Sequence, residues 1–394
     1  MNTEAIVEQQ PNAEYALQFG YPCLQQFKEG RSDEARIALA ERNYQRCARG
    51  MVHRRDGMVD VTEEMSSIDH IRWLDEAARS IAVKDELFIE VAHKDGVRYK
   101  LTPAGKQVWF LCQECLPYMN KLYPDYVFNP FITVMLRACR KWAPLLKEHS
   151  AYHQLYLSKR GARVALRSIV RFVRRVCRSR KFKYILSNYE RNQKKNFQSS
   201  CRYLAAIFES HAKVLVLRID LYYRPDHKGW ANTLQALIGL KKFMRALRED
   251  RVVPDVLGWV CKRESGFRRG VHYHLMVALD GHEHRDAANL SKRIGEYWVN
   301  HCTGQEPKGS YFNCYTRQKE YQFNGLGLVH ISDRQKLIGI REALRYITKG
   351  DYQLKTGLAR NLWRGIMPKQ KVKRGAPRKA GHDMSLVEKI LGGV

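Results

Sequence analysis

Hydrophobic positions recur at two different periods along this chain, and the change of period divides it. Through the first 150 residues the apolar positions fall at helical spacing, as in DEARIALAERNYQRCA and HIRWLDEAARSIAV, which predicts a largely helical region. One interruption is legible there. KDGVRYKLTPAGKQVWFL offers an Asp-Gly turn, a short strand, then Thr102 as N-cap and Pro103 at the first helical position. That order also occurs where the wing of a winged helix meets its next helix. A plain strand-turn-helix is the preferred account of it, so no DNA reading is assigned to it.

After the helix-like FQSSCRYLAAIFESH the period becomes two. KVLVLRIDLYY sets Leu215, Leu217, Ile219 and Leu221 against Val214, Val216, Arg218, Asp220 and Tyr222, a half-buried strand. ANTLQALIGLKKFMRALRED returns to helical spacing. VPDVLGWVCKRE and GVHYHLMVAL read as a second and third strand, RDAANLSKRIGEYWVNHC as a helix, GLGLVHIS as a fourth strand and DRQKLIGIREALRYITK as a closing helix. Strands two and three, joined by SGFRRG, make a natural hairpin. The order β-α-β-β-α-β-α predicts an α+β fold: a mainly helical N-terminal region, then an antiparallel sheet with helices packed on one face. The expected divisions are a helical domain over 1–150, a basic helical connector over 151–200, a sheet domain over 201–368 and a basic tail over 369–394.

Charge sharpens this division. The chain has 394 residues and a formal net charge of +29, of which 1–150 contribute about −1 and 151–394 about +30. Basicity confined to one part of a chain with 44% hydrophobic content points to a polyanionic partner, nucleic acid being the commonest. From Lys159 to Lys195 there are 14 Lys or Arg and a single acid, Glu190, with Val164, Ile169, Val170, Phe172, Val173 and Val176 interleaved. This is a basic helix with an apolar flank, able either to grip a phosphate backbone through Arg171, Arg174 and Arg175 or to expose a solvated face. KQKVKRGAPRK, with Lys371, Lys373 and Arg374, reads as a flexible basic tail, and Arg268 and Arg269 of SGFRRG are further candidate DNA contacts. No run of about 18 apolar residues appears, and the N-terminus lacks a positive-then-apolar pattern. The expectation is a cytoplasmic protein with no membrane contact. Ten cysteines without a repeating framework fit reduced thiols, Cys112 and Cys115 forming the one close pair.

Candidate chemistry begins in GVHYHLMVALDG. In a strand, His272 and His274 project to one face while Val271, Tyr273, Leu275 and Val277 project to the other. A second such pair, His282 and His284, follows a turn among charged residues and reads as surface. If SGFRRG turns the chain back, Glu264 comes near the two imidazoles; otherwise it is an exposed glutamate in a basic hairpin. Two imidazoles and a carboxylate would leave coordination positions open on a divalent ion, with Mg²⁺ or Mn²⁺ suited to mixed nitrogen and oxygen ligands. A nucleophile is offered by Tyr346 in ALRYITKGD, off the apolar stripe of Leu337, Ile340, Leu344 and Ile347, with Lys349 three residues on. A phosphotyrosine ester conserves the energy of the cleaved bond, and an ammonium stabilises developing negative charge. Tyr118 with Lys121 and Tyr352 with Lys355 share the spacing. Tyr118 lies in the uncharged half, and Tyr352 follows Gly350 and Asp351, which should end the helix.

Glu264, His272-x-His274 and a later helix bearing Tyr346-x-x-Lys349 together resemble the HUH superfamily of single-strand endonucleases, specifically single-tyrosine rolling-circle replication initiators. WVCKRESGFRRGVHYHLMVALDG and RYITKGD look like motifs two and three of small circular-DNA virus initiators. VLVLRIDLYY and GLARNLWRGIMPK are more similar to filamentous-phage and prophage replication proteins. The resemblance covers roughly 200–370. It implies a compact antiparallel sheet with the histidines on its open face and the tyrosine helix laid against it. It further implies a metal held by Glu264, His272 and His274, nucleophilic attack by Tyr346, and Lys349 beside the phosphate. The product would be a 5′-phosphotyrosine and a free 3′ hydroxyl, formed on single-stranded and origin duplex DNA with a host helicase and polymerase. LRIDLYY matches the family's first motif loosely, which leaves the role of Asp220 open. No GxxxxGK[ST] loop is present, so unwinding would fall to a partner. A DNA-binding prophage regulator, or a transposase or mobilisation nickase of the same chemistry, are the alternative readings.

Overall fold

A computed structural model describes residues 51–53, 59–61, 63–116, 126–147, 160–224, 233–266, 270–304, 309–349, 354–356, 360–368 and 383–392. Tyr118, Tyr352, Arg268, Arg269, Lys371, Lys373 and Arg374 lie outside these residues. The described chain forms two compact units, one of 50–195 with 350–359, the other of 196–349 with 360–394.

The first unit is mainly helical. It contains the strand pair β1 (Met51–His53) and β2 (Val59–Val61), helix α1 (Glu63–Val83), the hairpin of β3 (Phe88–His93) and β4 (Gly96–Leu101), and α2 (Pro103–Phe110). Then come β5 (Tyr126–Phe128), α3 (Pro130–Lys147), α4 (Arg160–Arg178) and the first half of α5 (Arg180–Ser210). Thr102 caps α2 as its sequence predicts: its hydroxyl accepts from the Gly105 amide at 3.0 Å, and Pro103 occupies a first-turn position that needs no donor. The basic α4 is more than a connector. Its apolar flank, Ala162, Ala165, Leu166, Ile169, Val170, Val173 and Cys177, is buried, and the helix packs against α1 and α3. A stripe of that width cannot stay in water, so α4 belongs to the core of this unit.

The second unit is an antiparallel sheet built from β6 (Lys213–Tyr223), β7 (Val256–Gly266), β8 (Gly270–Asp280), β9 (Gly309–Asn313), β10 (Gly327–His330) and β12 (Leu362–Arg364). The path is β10-β6-β8-β7-β12, with β9 paired to the far half of β6. β11 (Leu354–Thr356) pairs instead with β5 of the helical unit. Helix α6 (Thr233–Arg248) connects β6 to β7, α7 (Ala287–Tyr297) follows β8, and α8 (Arg334–Ile347) follows β10. Strands β9 (GSYFN) and β12 (LWR) carry no regular apolar–polar alternation, so the hydrophobic pattern does not signal them.

One expectation is corrected here: helices cover the sheet on both faces. On one face Leu215, Leu217, Ile219 and Leu221 of β6 meet Tyr273, Leu275 and Val277 of β8, under α6, α7 and Trp298. On the other, Val214, Val216, Val260, Met276 and Ala278 meet Tyr203, Leu204, Ile207 and Phe208 of α5 and the Leu337, Ile340, Leu344 and Ile347 stripe of α8. β6 is accordingly buried almost throughout rather than half-buried, and its unbroken VLVL run is what two covered faces require. The basic stretch 369–379 of the expected C-terminal tail lies outside the described residues, but the end of that tail packs. Helix α9 (Ser385–Val387) and the turn that continues it to Gly392 bury Val387, Ile390 and Leu391 in the second core.

α8 is placed by its ends and by one close approach. The Asp333 side chain caps its N-terminus, accepting from the Lys336 amide at 3.0 Å. Gly339 lies so near the backbone at Asn324 and Gly325 that any Cβ there would collide with it. Among the described residues, no helix is long and apolar enough to cross a membrane.

Candidate active site

The second face of the sheet changes character along its length. Past Val216, Val260 and Met276 the residues become Arg218 and Asp220 on β6, Lys262 and Glu264 on β7, and His272 and His274 on β8. The register aligns them: Asp220 lies opposite His274 on one side, Lys262 opposite His274 and Glu264 opposite His272 on the other. Period two therefore sets all six on one face. All are deeply buried, from 0% exposure for Asp220 and 2% for His274 to 10% for the Glu264 side chain. Glu264 is thus no exposed hairpin glutamate.

Burial at such density requires pairing, and the pairs are specific. Asp220 Oδ1 accepts from His274 Nδ1 at 2.7 Å, which fixes the ring and leaves Nε2 directed at Glu264 Oε2, 3.3 Å away. His272 Nε2 lies 3.8 Å from the same oxygen. One ligand atom from each of Glu264, His272 and His274 falls within 4.8 Å of the other two. The second carboxylate oxygen of Glu264, Oε1, is buried and accepts no hydrogen bond among the described residues. A closed salt bridge would satisfy both oxygens. Two imidazole nitrogens and a carboxylate with an idle oxygen fit a divalent cation, and Asp220 behind His274 has the position of an outer carboxylate that would orient such a ligand.

Tyr346 and Lys349 come to this cluster from α8. Tyr346 stays off the apolar stripe, half-buried, with its ring 5.4 Å from that of His274 in an edge-on arrangement. Helix α8 ends at Ile347, so Lys349 lies past the last helical residue rather than on a shared helical face. It reaches the site nonetheless, its ammonium 4.1 Å from the Tyr346 ring centroid and 3.7 Å from Glu264 Oε2. Lys262 Nζ donates to the Lys349 carbonyl at 3.2 Å, holding the chain where the helix leaves off. On the opposite side, the Arg218 guanidinium lies 4.7 Å from the Tyr346 ring and 3.7 Å from Asp220 Oδ1.

Electrostatics follow from this arrangement. Burial favours a neutral Glu264, but Lys349, His274 and Lys262 overcome it and hold the carboxyl well below the usual range. Burial also disfavours a charged His274, yet Asp220 and Glu264 outweigh it and raise the imidazole. Tyr346 is pushed up by burial, with Lys349 and Arg218 opposing the rise, so the phenol is protonated at neutral pH. Three fixed cations face two carboxylates. Among the described residues this cluster carries more buried positive than negative charge, which is complementary to an anion.

Residues 178–324 match the YagK/YfjJ C-terminal domain. That domain's match takes in Asp220, Glu264, His272 and His274 and stops ahead of α8, so Tyr346 and Lys349 lie beyond it. No curated protein and no solved structure matches the chain.

The remaining expected site residues separate. His282 and His284 follow β8 in a turn, away from the ligand group. Arg174 is not available for DNA: its guanidinium donates to the carbonyls of Ile81, Lys84 and Asp85 and to Glu86 at 2.8 to 3.1 Å, bracing α4 against the loop after α1. Arg171 and Arg175 remain exposed. Arg218, Asp220 and Lys262 are the members that sequence reasoning did not place. Their one signal was the presence of charge inside otherwise apolar strands.

Proposed function

We propose that the chain is a divalent-metal-dependent enzyme that nicks and rejoins single-stranded DNA, with Tyr346 as nucleophile, and that it initiates rolling-circle replication. The observation that carries this is the meeting of Tyr346 with Glu264, His272 and His274 in a buried cluster whose fixed charges favour an anion. Glu264, His272 and His274 would hold Mg²⁺ or Mn²⁺, which supplies positive charge to a phosphate oxygen. Tyr346 Oη attacks the phosphorus; the bond to the 3′ oxygen breaks as the bond to tyrosine forms. The phenol gives up its proton and the departing 3′ oxygen gains one. Lys349 neutralises the charge that develops on the phosphoryl group, and Arg218 holds the ring from the other side. Because one phosphodiester replaces another, a 3′ hydroxyl can reverse the step and rejoin the strand. The free 3′ hydroxyl primes a host polymerase, and a host helicase opens the origin duplex in the bacterial cytoplasm.

The test is covalent capture. Purified protein is incubated with a random single-stranded library and Mn²⁺, resolved under denaturing conditions, and the adducted peptide is sequenced. The expected result is DNA on Tyr346, lost in Tyr346→Phe and with chelator. DNA on Tyr352 would move the nucleophile while keeping the chemistry. Binding without any adduct would replace the reading with that of a DNA-binding regulator.

A further inference from the structure

Seven arginines lie along α4, and the structure divides them by use. Arg163 covers the Tyr99 ring of β4 at 4.3 Å, and Arg174 is bound to the loop after α1. The other five, Arg160, Arg167, Arg171, Arg175 and Arg178, are exposed, as is Val164 between the first two. At 100° per residue these positions fall within a narrow sector opposite the buried flank of Ala165, Ile169 and Val173. They form a single line roughly 27 Å long, from the rise of 1.5 Å per residue.

The line has three further properties. α4 contains no acidic residue, and of the five exposed arginines only Arg167 pairs with an acid among the described residues, Glu90 of β3 at 3.3 Å. Among the described residues Arg171 and Arg178 make no ion pair or hydrogen bond, and Arg175 only rests over Phe172 of its own helix. Like charges four apart oppose each other on a helix, so the array is relieved by a matching row of anions. Finally, the face exposes no aromatic ring on which an unpaired base could stack, and no Asn or Gln to read a base edge. Such a face supplies phosphate contacts alone.

We infer that the exposed arginine face of α4 docks the phosphate backbone of duplex DNA, independently of sequence, as a site separate in role from the tyrosine centre. This rests on the nucleic-acid reading above and assigns it a second surface. Roughly eight base pairs span a line of that length at 3.4 Å per pair.

The experiment uses the full chain, wild type and two triple variants: Arg171→Gln/Arg175→Gln/Arg178→Gln, and the same positions changed to Lys. Affinity for a fluorescent duplex of arbitrary sequence is measured over a series of salt concentrations. The wild type should bind with a steep salt dependence. The Gln variant should lose roughly one unit of log–log slope per arginine, about three in all, and the Lys variant should keep most of the slope. The Gln variant should still form the metal-dependent adduct on a short single strand. Duplex binding by the Gln variant with the wild-type slope overturns the inference, as does wild-type protein that binds vesicles of phosphatidylserine but no duplex. If wild type forms no adduct yet the Gln variant loses duplex binding, the docking surface stands and the nicking reading falls.

Discussion

Asp220→Asn isolates the contribution of a carboxylate that would never touch the metal. The 2.7 Å contact between Asp220 and His274 Nδ1 is fully buried, so it is a charge-assisted bond at low dielectric with no competing water. It holds the ring so that Nε2 faces Glu264, donating to Oε2 while the imidazole is protonated and freeing its lone pair for a ligand once that proton is lost. Asparagine keeps the volume but can present an amide donor to Nδ1, loosening the ring. Removing such an outer partner costs about 10- to 100-fold in metal affinity, or roughly 1.4–2.7 kcal/mol. The deficit should depend on pH. His274 is raised by Asp220 and Glu264 against the effect of burial, so in the wild type a metal must displace a proton at low pH. The variant loses one of those carboxylates and with it part of that competition. Its deficit should therefore be full above the raised imidazole value and shrink as pH falls through it. Calorimetric titration of Mn²⁺ into both proteins at two pH values, with circular dichroism to confirm folding, reads this directly. Equal affinities at the alkaline value would refute Asp220 as an orienting group, and a deficit that grows on acidification would refute the proton competition.

Lys349→Met should separate binding from chemistry: adduct formation falls by about 10²–10³, as for loss of a charge-stabilising donor, while Mn²⁺ affinity rises because the ammonium 3.7 Å from Glu264 is gone. Stopped-time adduct assays and calorimetry check the two halves. Arg174→Ala should cost about 2–3 kcal/mol in urea unfolding, since several carbonyls lose their donor together, whereas Arg171→Ala should stay within about 0.5 kcal/mol. In metal-free protein the lowered Glu264 contributes stability that is present above the unfolded carboxylate value of about 4.3 and lost as pH falls toward its much lower folded value. Urea midpoints through that range should drop in the wild type and flatten in Glu264→Gln.

Much of the candidate site was readable because period-two geometry is local. His272 and His274 share a face in any strand, and if SGFRRG turns the chain back in a tight hairpin Glu264 returns near them, as the observed register has it. The α8 stripe was readable for the same reason, its four apolar positions obeying one helical period. What escaped depended on partners distant in sequence. Asp220 meets His274 across 54 residues, and nothing in RID distinguishes a carboxylate that orients a ligand from one that merely interrupts a strand. Arg171 and Arg174 are the same letter three residues apart; only the loop after α1 decides that one is a brace and the other a surface. The second covered face was hidden in part because β6 was read by its alternation, while its VLVL run spoke for burial on both sides.

The chain leaves the sheet unit immediately after Lys349, contributes β11 to the helical unit beside β5, and returns at Arg360 to form β12. From Met51 onward the chain therefore passes between the two units three times, and neither can be excised with one cut. Truncating at residue 195 would strip β11 of its partner and leave an unsatisfied strand edge tethered four residues from Lys349. Dissection by simple deletion would damage the residues it meant to isolate. A faithful split of this protein has to carry 350–359 with the helical fragment and close the gap between Lys349 and Arg360 with a short flexible bridge.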